Sequence, residues 1–171
     1  MLRAILFDMG GTLDGDGVDW LNRFQGLYAE ADAALEWHAV RAAFDHAEQR
    51  SSADDKMCSA GLDGMLFRHV GWQLEYLRVS DPGLQRRIAS DFGDAVRRLA
   101  GRHLEVLAKL HARGLQLGVV SNGCGNVEVL CRELGYSAWL AVVVDSKRVG
   151  VAKPDPAIFE LAAARLGVAP R

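Results

Sequence analysis

The chain has 171 residues, half of them hydrophobic and a quarter charged, a composition typical of soluble globular proteins. Its net charge is −2 at pH 7 with scattered Lys and Arg, so electrostatics gives no reason to expect nucleic acid or membrane as a partner. Three cysteines without a CxxC pair argue against a disulfide framework. No apolar stretch reaches transmembrane length. We therefore expect a cytoplasmic protein.

Three short apolar runs predict the strands of a parallel sheet. They lie at residues 3–7, 115–120 and 140–144. Helical patterns accompany the later runs, at residues 103–113, 126–134 and 155–166. The last of these begins with Asp155 and Pro156, an N-cap followed by proline at the first helical position. Strands that alternate with helices predict βαβ units and an α/β fold.

Residues 15–102 carry helical patterns without a strand signal. The predicted helices span about 19–31, 36–50, 62–78 and 82–98. Asp81-Pro82 marks the start of the last one, whose predicted apolar face comprises Leu84, Ile88, Ala95 and Leu99. An all-helical block after the first strand predicts an inserted helical module at 15–102, with the core formed by 1–14 plus 103–171.

Polar residues follow the predicted strands. They are Asp8, the Ser121-Asn122-Gly123 sequence, and Lys153 ahead of the last helix. Ligands of open α/β sheets bind beyond the carboxyl ends of the strands. There a carboxylate can attack phosphorus, Ser121 and the N–H groups ahead of helix 126–134 can hold phosphate oxygens, and a lysine supplies positive charge. Each residue alone fits a turn or a solvated side chain; together they predict a phosphate-handling site.

Three stretches resemble the first three motifs of the haloacid dehalogenase-like (HAD) superfamily. They are FDMGGTLD at 7–14, VVSNG at 119–123 and VGVAKPDPAIF at 149–159. The resemblance covers 1–14 and 103–171, and the helical block resembles the family's cap. It implies a three-layer Rossmann-like core, a Mg²⁺ cofactor and hydrolysis of a small phosphorylated metabolite.

The resemblance also implies a role for each matching residue. Asp8 is the implied nucleophile and a Mg²⁺ ligand, the backbone carbonyl of Gly10 is a second metal ligand, and Lys153 compensates charge. The implied phosphate-binding residues are Thr12, which also supports the first loop, Ser121, Asn122 and Gly123.

Gly10 departs from the family pattern. Phosphatases of this family carry Asp there, a general acid–base whose help is worth about 10²–10⁴-fold in rate. Dehalogenases carry Tyr and phosphonate-cleaving members carry Ala. Asp14 or Asp16, in a glycine-containing loop, are candidate replacements. We favour a solvated turn with Asp19 as N-cap of the helix that begins at Trp20.

The C-terminal stretch at 167–171 is the second departure. The chain ends there, whereas the resemblance implies that a further strand follows, with the acids of a fourth motif that complete the Mg²⁺ site. We therefore expect an incomplete core and metal site, in a fragment of a longer protein or a naturally short relative, with the fragment favoured. Residues 3–7 should then form an exposed apolar edge, and a homodimer could form through this edge or the cap.

Three further functions stay open at this point. A phosphonate-cleaving enzyme would form a Schiff base on Lys56, a dehalogenase is a second option, and a non-catalytic or partner-completed scaffold would turn over no phosphate ester. His38, Arg41 and Arg68 are possible anion contacts in the cap, although polar residues on helix faces are usually solvated.

Overall fold

The computed structural model describes residues 2–31, 33 and 35–169. Its three parallel strands form one sheet in the order β1-β2-β3, with β1 at Ala4–Phe7, β2 at Gln116–Ser121 and β3 at Leu140–Asp145. The α/β fold class and the three predicted strands are confirmed. The register sets Phe7 opposite Val119 and Ser121 opposite Asp145. The carboxyl ends of the strands therefore meet at one edge of the sheet.

Among the described residues, four α-helices lie between β1 and β2, and three follow β2. The first four are α1 (Trp20–Glu30), α2 (Trp37–Ala53), α3 (Leu62–Tyr76) and α4 (Pro82–Ala112). The others are α5 (Val127–Glu133), α6 (Ser146–Val149) and α7 (Pro156–Arg165). Asp81 and Asp155 cap α4 and α7 through side-chain acceptors, as predicted, and proline occupies the first turn of both helices.

Helix α4 is a single helix where the sequence predicted two. Its buried side chains include Ile88, Phe92, Val96, Ala100 and Leu107. These positions lie one or two helical turns apart, so the apolar stripe continues without a break through residues 99–102. Packing of this stripe on the neighbouring elements therefore stabilises the helix across that stretch. The stripe is also rotated from the predicted one, of which only Ile88 is fully buried. The proposed domain boundary after residue 102 lies inside α4, and the division into core and cap remains a prediction.

Strand β2 separates two hydrophobic clusters because successive side chains of a strand point to opposite faces. Leu117 and Val119 pack in a cluster with Leu107 of α4 and Leu130 of α5, and the cap helices contribute to the same cluster. Val120 packs on the other face with residues of β3 and α7. The sheet is thus a middle layer between helices, and α1–α4, whose residues up to 102 form the predicted cap, share an apolar interior with one face of the sheet.

Strand β1 lies at the edge of the sheet and pairs with β2 alone among the described residues. Residues of β1, α7 and their flanks line an apolar groove of about 650 Å³, among them Leu6, Phe159 and Leu166. This is the apolar edge that the sequence predicted, and a dimer formed through it remains a prediction. Within the described ranges, no helix is both long enough and apolar enough to span a bilayer.

Candidate active site

Asp8 follows β1 directly and pairs with Lys153. Its Oδ1 atom lies 2.7 Å from Lys153 Nζ and accepts a hydrogen bond of 2.7 Å from the Met9 N–H. No donor among the described residues reaches Oδ2. One carboxylate oxygen is therefore compensated by a positive charge, while the other is open to attack an electrophile or to bind a cation.

The Asn122 side chain positions Lys153. Its Nδ2 donates to the Lys153 carbonyl at 3.0 Å, and its Oδ1 accepts from the Lys153 N–H at 2.7 Å. The amide group predicted to bind phosphate thus holds the backbone of the lysine beside Asp8. The phosphate-binding roles implied for Thr12, Ser121, Asn122 and Gly123 remain predictions.

Asp145 organises the loop after β2 and was not among the site residues predicted from sequence. Its Oδ2 atom accepts from the N–H groups of Gly125 at 2.9 Å and Val127 at 3.1 Å. These two N–H groups lie in the stretch that the sequence suggested for holding phosphate oxygens, and they are occupied here. A Cβ at Gly123 would lie 2.7 Å from Asp145 Oδ2, so glycine permits this close approach. The sequence feature that could have identified Asp145 is its position as an acid at the end of the predicted third strand. The structure pairs it in register with Ser121.

The backbone conformation at position 10 does not require glycine. Its φ of −64° and ψ of 122° are open to any residue, and an added Cβ would meet no atom within 4 Å. By contrast, Gly11 has a φ of +72°, and a Cβ at Gly15 would lie 2.7 Å from the Gly11 Cα. The position where related phosphatases carry an acid therefore has room for a side chain.

Asp14 is fixed and buried, whereas the sequence suggested a flexible acidic loop. Its Oδ1 accepts from the Gly11 N–H at 2.7 Å and its Oδ2 from the indole N–H of Trp20 at 2.9 Å. Burial raises the pKa of Asp14 to about 6, against the lowering effect of these two hydrogen bonds. Since both oxygens are engaged, Asp14 holds the loop after β1 and is not free to swing into the place left by Gly10.

The side chains of the other two acids of this loop are held by other partners. Asp16 is exposed and lies 3.1 Å from Arg102 of α4. Asp19 accepts from the Asn22 N–H at 2.9 Å, which confirms it as the N-cap of α1. Neither side chain occupies the position of the missing acid.

Asp14→Ala is expected to destabilise the fold most strongly at acidic pH. The folded pKa of about 6 lies above the ordinary value of 3.8, so the folded state holds the proton more tightly. The stability that Asp14 contributes is therefore greatest below pH 3.8 and falls as the pH rises through about 6, by about 3 kcal/mol in all. Urea denaturation of both proteins between about pH 4.5 and 7.5 measures the difference.

The matched control is Asp16→Ala, which removes an exposed carboxylate from the same loop at an expected cost within about 1 kcal/mol. A difference between Asp14→Ala and the unmodified chain that stays constant across this pH range would contradict the assignment of Asp14.

A cavity of about 270 Å³ lies between the cap helices and the loops at the strand ends. Met9, Gly10 and residues 121–124 line it from the core, and Trp20, Phe44, Glu48 and His69 are among the residues that line it from the cap. Three carboxyl side chains border it, those of Asp14, Asp19 and Glu48, and the lining within the described residues has no Lys or Arg. The cavity is thus suited to a small ligand whose cap-facing end is neutral or positively charged.

The cap residues singled out from the sequence lie outside this cavity lining. Arg41 stacks over the ring of Trp37 at 5.5 Å, Arg68 lies 3.8 Å from Asp54, and His38 and Lys56 are exposed. The cavity residues Glu48 and His69 were missed because helical periodicity identifies a buried face without showing which neighbouring element it faces.

The parallel sheet with a helical block between its first two strands defines the chain as a Rossmann-like α/β protein, and comparison identifies the family. Residues 2–171 match the family model described as haloacid dehalogenase-like hydrolase. The chain therefore belongs to the haloacid dehalogenase-like hydrolase family, as the three motifs indicated.

A sequence relative in Danio rerio is the haloacid dehalogenase-like hydrolase domain-containing protein 3. It is 46% identical over 57 residues, which are 33% of this chain and 24% of that protein. The match thus spans about a quarter of the relative's length.

Solved structures of dehalogenases share the fold. One, a dehalogenase with an intermediate complex, is 23% identical, with a TM-score of 0.60 over 99% of this chain and 74% of the other. L-2-haloacid dehalogenase from Xanthobacter autotrophicus with chloropropionic acid covalently bound is 20% identical, with a TM-score of 0.54 over 100% of this chain and 67% of the other. At these identities the likeness concerns the fold alone.

Proposed function

We propose that this chain acts on a small phosphorylated metabolite, with Asp8 as the nucleophile of a phosphate ester hydrolysis. The observation that carries the proposal is the polarised carboxylate at the end of β1. Lys153 and the Met9 N–H hold Oδ1, and Oδ2 is left without a donor among the described residues. The loop with Ser121 and Gly123 lies at the same edge of the sheet, and it lines the cavity that would hold the substrate.

In the first step, Asp8 Oδ2 attacks phosphorus and the bond from phosphorus to the ester oxygen breaks, which forms an aspartyl phosphate. Lys153 stabilises the negative charge that develops on the phosphoryl group. With glycine at position 10, the leaving alkoxide takes its proton from water. In the second step, water attacks the phosphorus of the aspartyl phosphate, which releases inorganic phosphate and restores the Asp8 carboxylate.

Mg²⁺ is part of this proposal, and the Asp8 carboxylate and the Gly10 carbonyl would be its protein ligands. When bound, the ion would neutralise charge on the phosphate. Mg²⁺ takes about six oxygen ligands and commonly completes its shell with water and substrate phosphate, so one carboxylate and one carbonyl are compatible with it. Two protein ligands make a site of low affinity, and we expect weak binding by this chain.

The test is detection of the aspartyl phosphate. The chain is mixed with a phosphate ester, quenched in acid and analysed by peptide mass spectrometry for a phosphoryl group on the peptide that contains Asp8. We expect the adduct to accumulate and then to decay as ester is consumed. A chain that hydrolyses the ester without any adduct, or with an adduct elsewhere, would contradict the proposal.

A second candidate is a non-catalytic or partner-completed scaffold, which Gly10 and the open edge of β1 favour. It predicts neither turnover nor an adduct. Phosphonate cleavage and dehalogenation receive less support. Lys56 is exposed and outside the cavity lining, which disfavours a Schiff base. The solved dehalogenases are 23% and 20% identical to this chain, so they support the fold and add no support for dehalogenation.

A further inference from the structure

A chain of buried hydrogen bonds in the cap ends at Glu48. Tyr28 Oη donates to Gln73 Oε1 at 3.1 Å, Gln73 Nε2 donates to His69 Nδ1 at 2.8 Å, and His69 Nε2 lies 2.9 Å from Glu48 Oε1. The residues come from three helices, α1, α2 and α3. Tyr28, His69 and Gln73 are fully buried, whereas Glu48 stands at the cavity wall with its side chain half exposed.

The direction of these bonds determines the tautomer of His69. Burial raises the pKa of Tyr28, so its hydroxyl keeps its proton and donates to the Gln73 carbonyl oxygen. The Gln73 amide N–H₂ then faces His69 Nδ1, which must accept. The ring proton is therefore on Nε2 and is donated to Glu48. Each hydrogen bond of this chain is therefore donated in the direction of the Glu48 carboxylate.

Aromatic rings hold the imidazole in place. The His69 ring stacks on Phe24 with centroids 5.3 Å apart and planes 6° apart, and it meets the Trp20 ring edge-on at 5.9 Å. With the ring plane fixed by packing and the tautomer fixed by Gln73, Glu48 Oε1 is held at one point of the cavity wall. Its Oε2 has no donor among the residues that the structure describes.

Glu48 also faces the loop that follows β2. Burial, followed by the charges of Asp145 and Glu48, raises the pKa of Cys124 to about 11. Cys124 belongs to the 121–124 stretch that lines the cavity opposite the cap. The cavity is thus lined on the core side by the loop proposed to bind phosphate, next to Met9 and Gly10 of the loop that follows Asp8, and on the cap side by the Glu48 carboxylate.

We propose that Glu48 is the specificity-determining residue of the cap, and that it binds an ammonium group at the end of the substrate remote from the phosphate. The proposal rests on the proposed function for the identity of the phosphate end. An ammonium group gives Oε2 the charged donor that it lacks, and the lining within the described residues contains no cation to bind a carboxylate instead. The substrate class is a small phosphorylated amine.

The experiment compares three phosphate esters built on the same ethyl group in calorimetric titrations: 2-aminoethyl phosphate, ethyl phosphate and 2-carboxyethyl phosphate. Binding is measured to the Asp8→Asn chain, which does not consume the ligands. We expect the ammonium ester to bind about 10-fold more tightly than the ethyl ester, since hydrogen bonds between charged groups are stronger than those between neutral groups. We expect the carboxylate ester to bind most weakly.

Glu48→Gln removes the charge and keeps an amide oxygen for the His69 N–H, so it should preserve the fold. In this variant the ammonium preference is expected to fall to within about 2-fold, and the carboxylate ester should gain affinity. Glu75→Gln is the matched control, because Glu75 is an exposed cap carboxylate outside the cavity lining. A merely structural role for Glu48 would lower the thermal midpoint without changing the order of the three ligands.

The inference would be overturned if the preference for the ammonium ester survives Glu48→Gln, or if it disappears equally in Glu75→Gln. It would also be overturned if the Asp8→Asn chain shows no such preference, or if none of the three esters binds. Turnover is scored separately, with the unmodified chain and ethyl phosphate. Absence of the aspartyl phosphate together with a Glu48-dependent ammonium preference would reject the proposed nucleophile and keep the ligand-binding role of Glu48.

Discussion

Gly10→Asp is expected to raise the rate of phosphate ester hydrolysis by about 10²–10⁴-fold, the range typical of a positioned general acid–base. The backbone at Gly10 has ordinary angles, and an added Cβ meets no atom within 4 Å. Residue 10 also lines the cavity. A carboxyl group there could protonate the leaving alcohol in the first step and activate water in the second.

Electrostatics favours the protonated form that this role requires. A new carboxyl group at position 10 would lie near the charge of Asp8, and a neighbouring like charge raises a carboxyl pKa. The measurement is kcat with an alkyl phosphate across pH. We expect the gain to decline as the new acid loses its proton, because an ionised carboxylate cannot protonate the alkoxide.

Gly10→Asn is the matched control, because it adds a side chain of the same shape without an acid. We expect it to leave kcat near that of the unmodified chain. Equal gains in both variants would mean that filling the cavity accelerates the reaction. No gain in either would indicate that another group already supplies the proton.

The parts of the fold that could be predicted are those encoded in short segments. The three strands are apolar runs that end in polar residues, and Asp81-Pro82 and Asp155-Pro156 specify helix starts through side-chain caps. The pairing of Asp8 with Lys153 could be expected because both residues lie in motifs of a family whose strand ends converge. Each of these features depends on residues near one another in sequence or on a known topology.

The parts that escaped prediction depend on packing between distant segments. The single helix α4 persists through residues 99–102 because its buried stripe packs on the other helices, which no local propensity shows. Asp145 reaches back to the N–H groups of Gly125 and Val127, and Glu48 meets His69 across two helices. A polar residue in a helical pattern is usually solvated, so only the tertiary structure distinguishes Glu48 from the exposed acids of the cap.

Asp8→Asn is expected to lower kcat by about 10⁴-fold or more, since it removes the nucleophile and no described residue stands ready to replace it. Asparagine keeps an oxygen for the Met9 N–H, and the ion pair with Lys153 is partly exposed, so the fold should lose at most about 1 kcal/mol. The affinity for ethyl phosphate should be equal or higher, because one negative charge is removed beside the phosphate. A fall in kcat without a rise in Kd is the signature of a lost nucleophile.

Asp16→Asn is the comparison variant, since Asp16 is an exposed carboxylate of the neighbouring loop that pairs with Arg102. It should keep full activity. Residual hydrolysis in Asp8→Asn at the level of the unmodified chain would mean that the phosphoryl group is transferred directly to water or that another residue attacks.

The double variant with Gly10→Asp and Asp8→Asn joins the two predictions. If the acid at position 10 acts by protonating the alcohol that leaves as the aspartyl phosphate forms, its gain requires Asp8, and the double variant should be as inactive as Asp8→Asn alone. The two effects on the activation free energy would then be strongly non-additive, as is expected of groups that act in one step. A gain that persists without Asp8 would instead show that the new carboxyl group activates water directly, and the covalent mechanism would have to be abandoned.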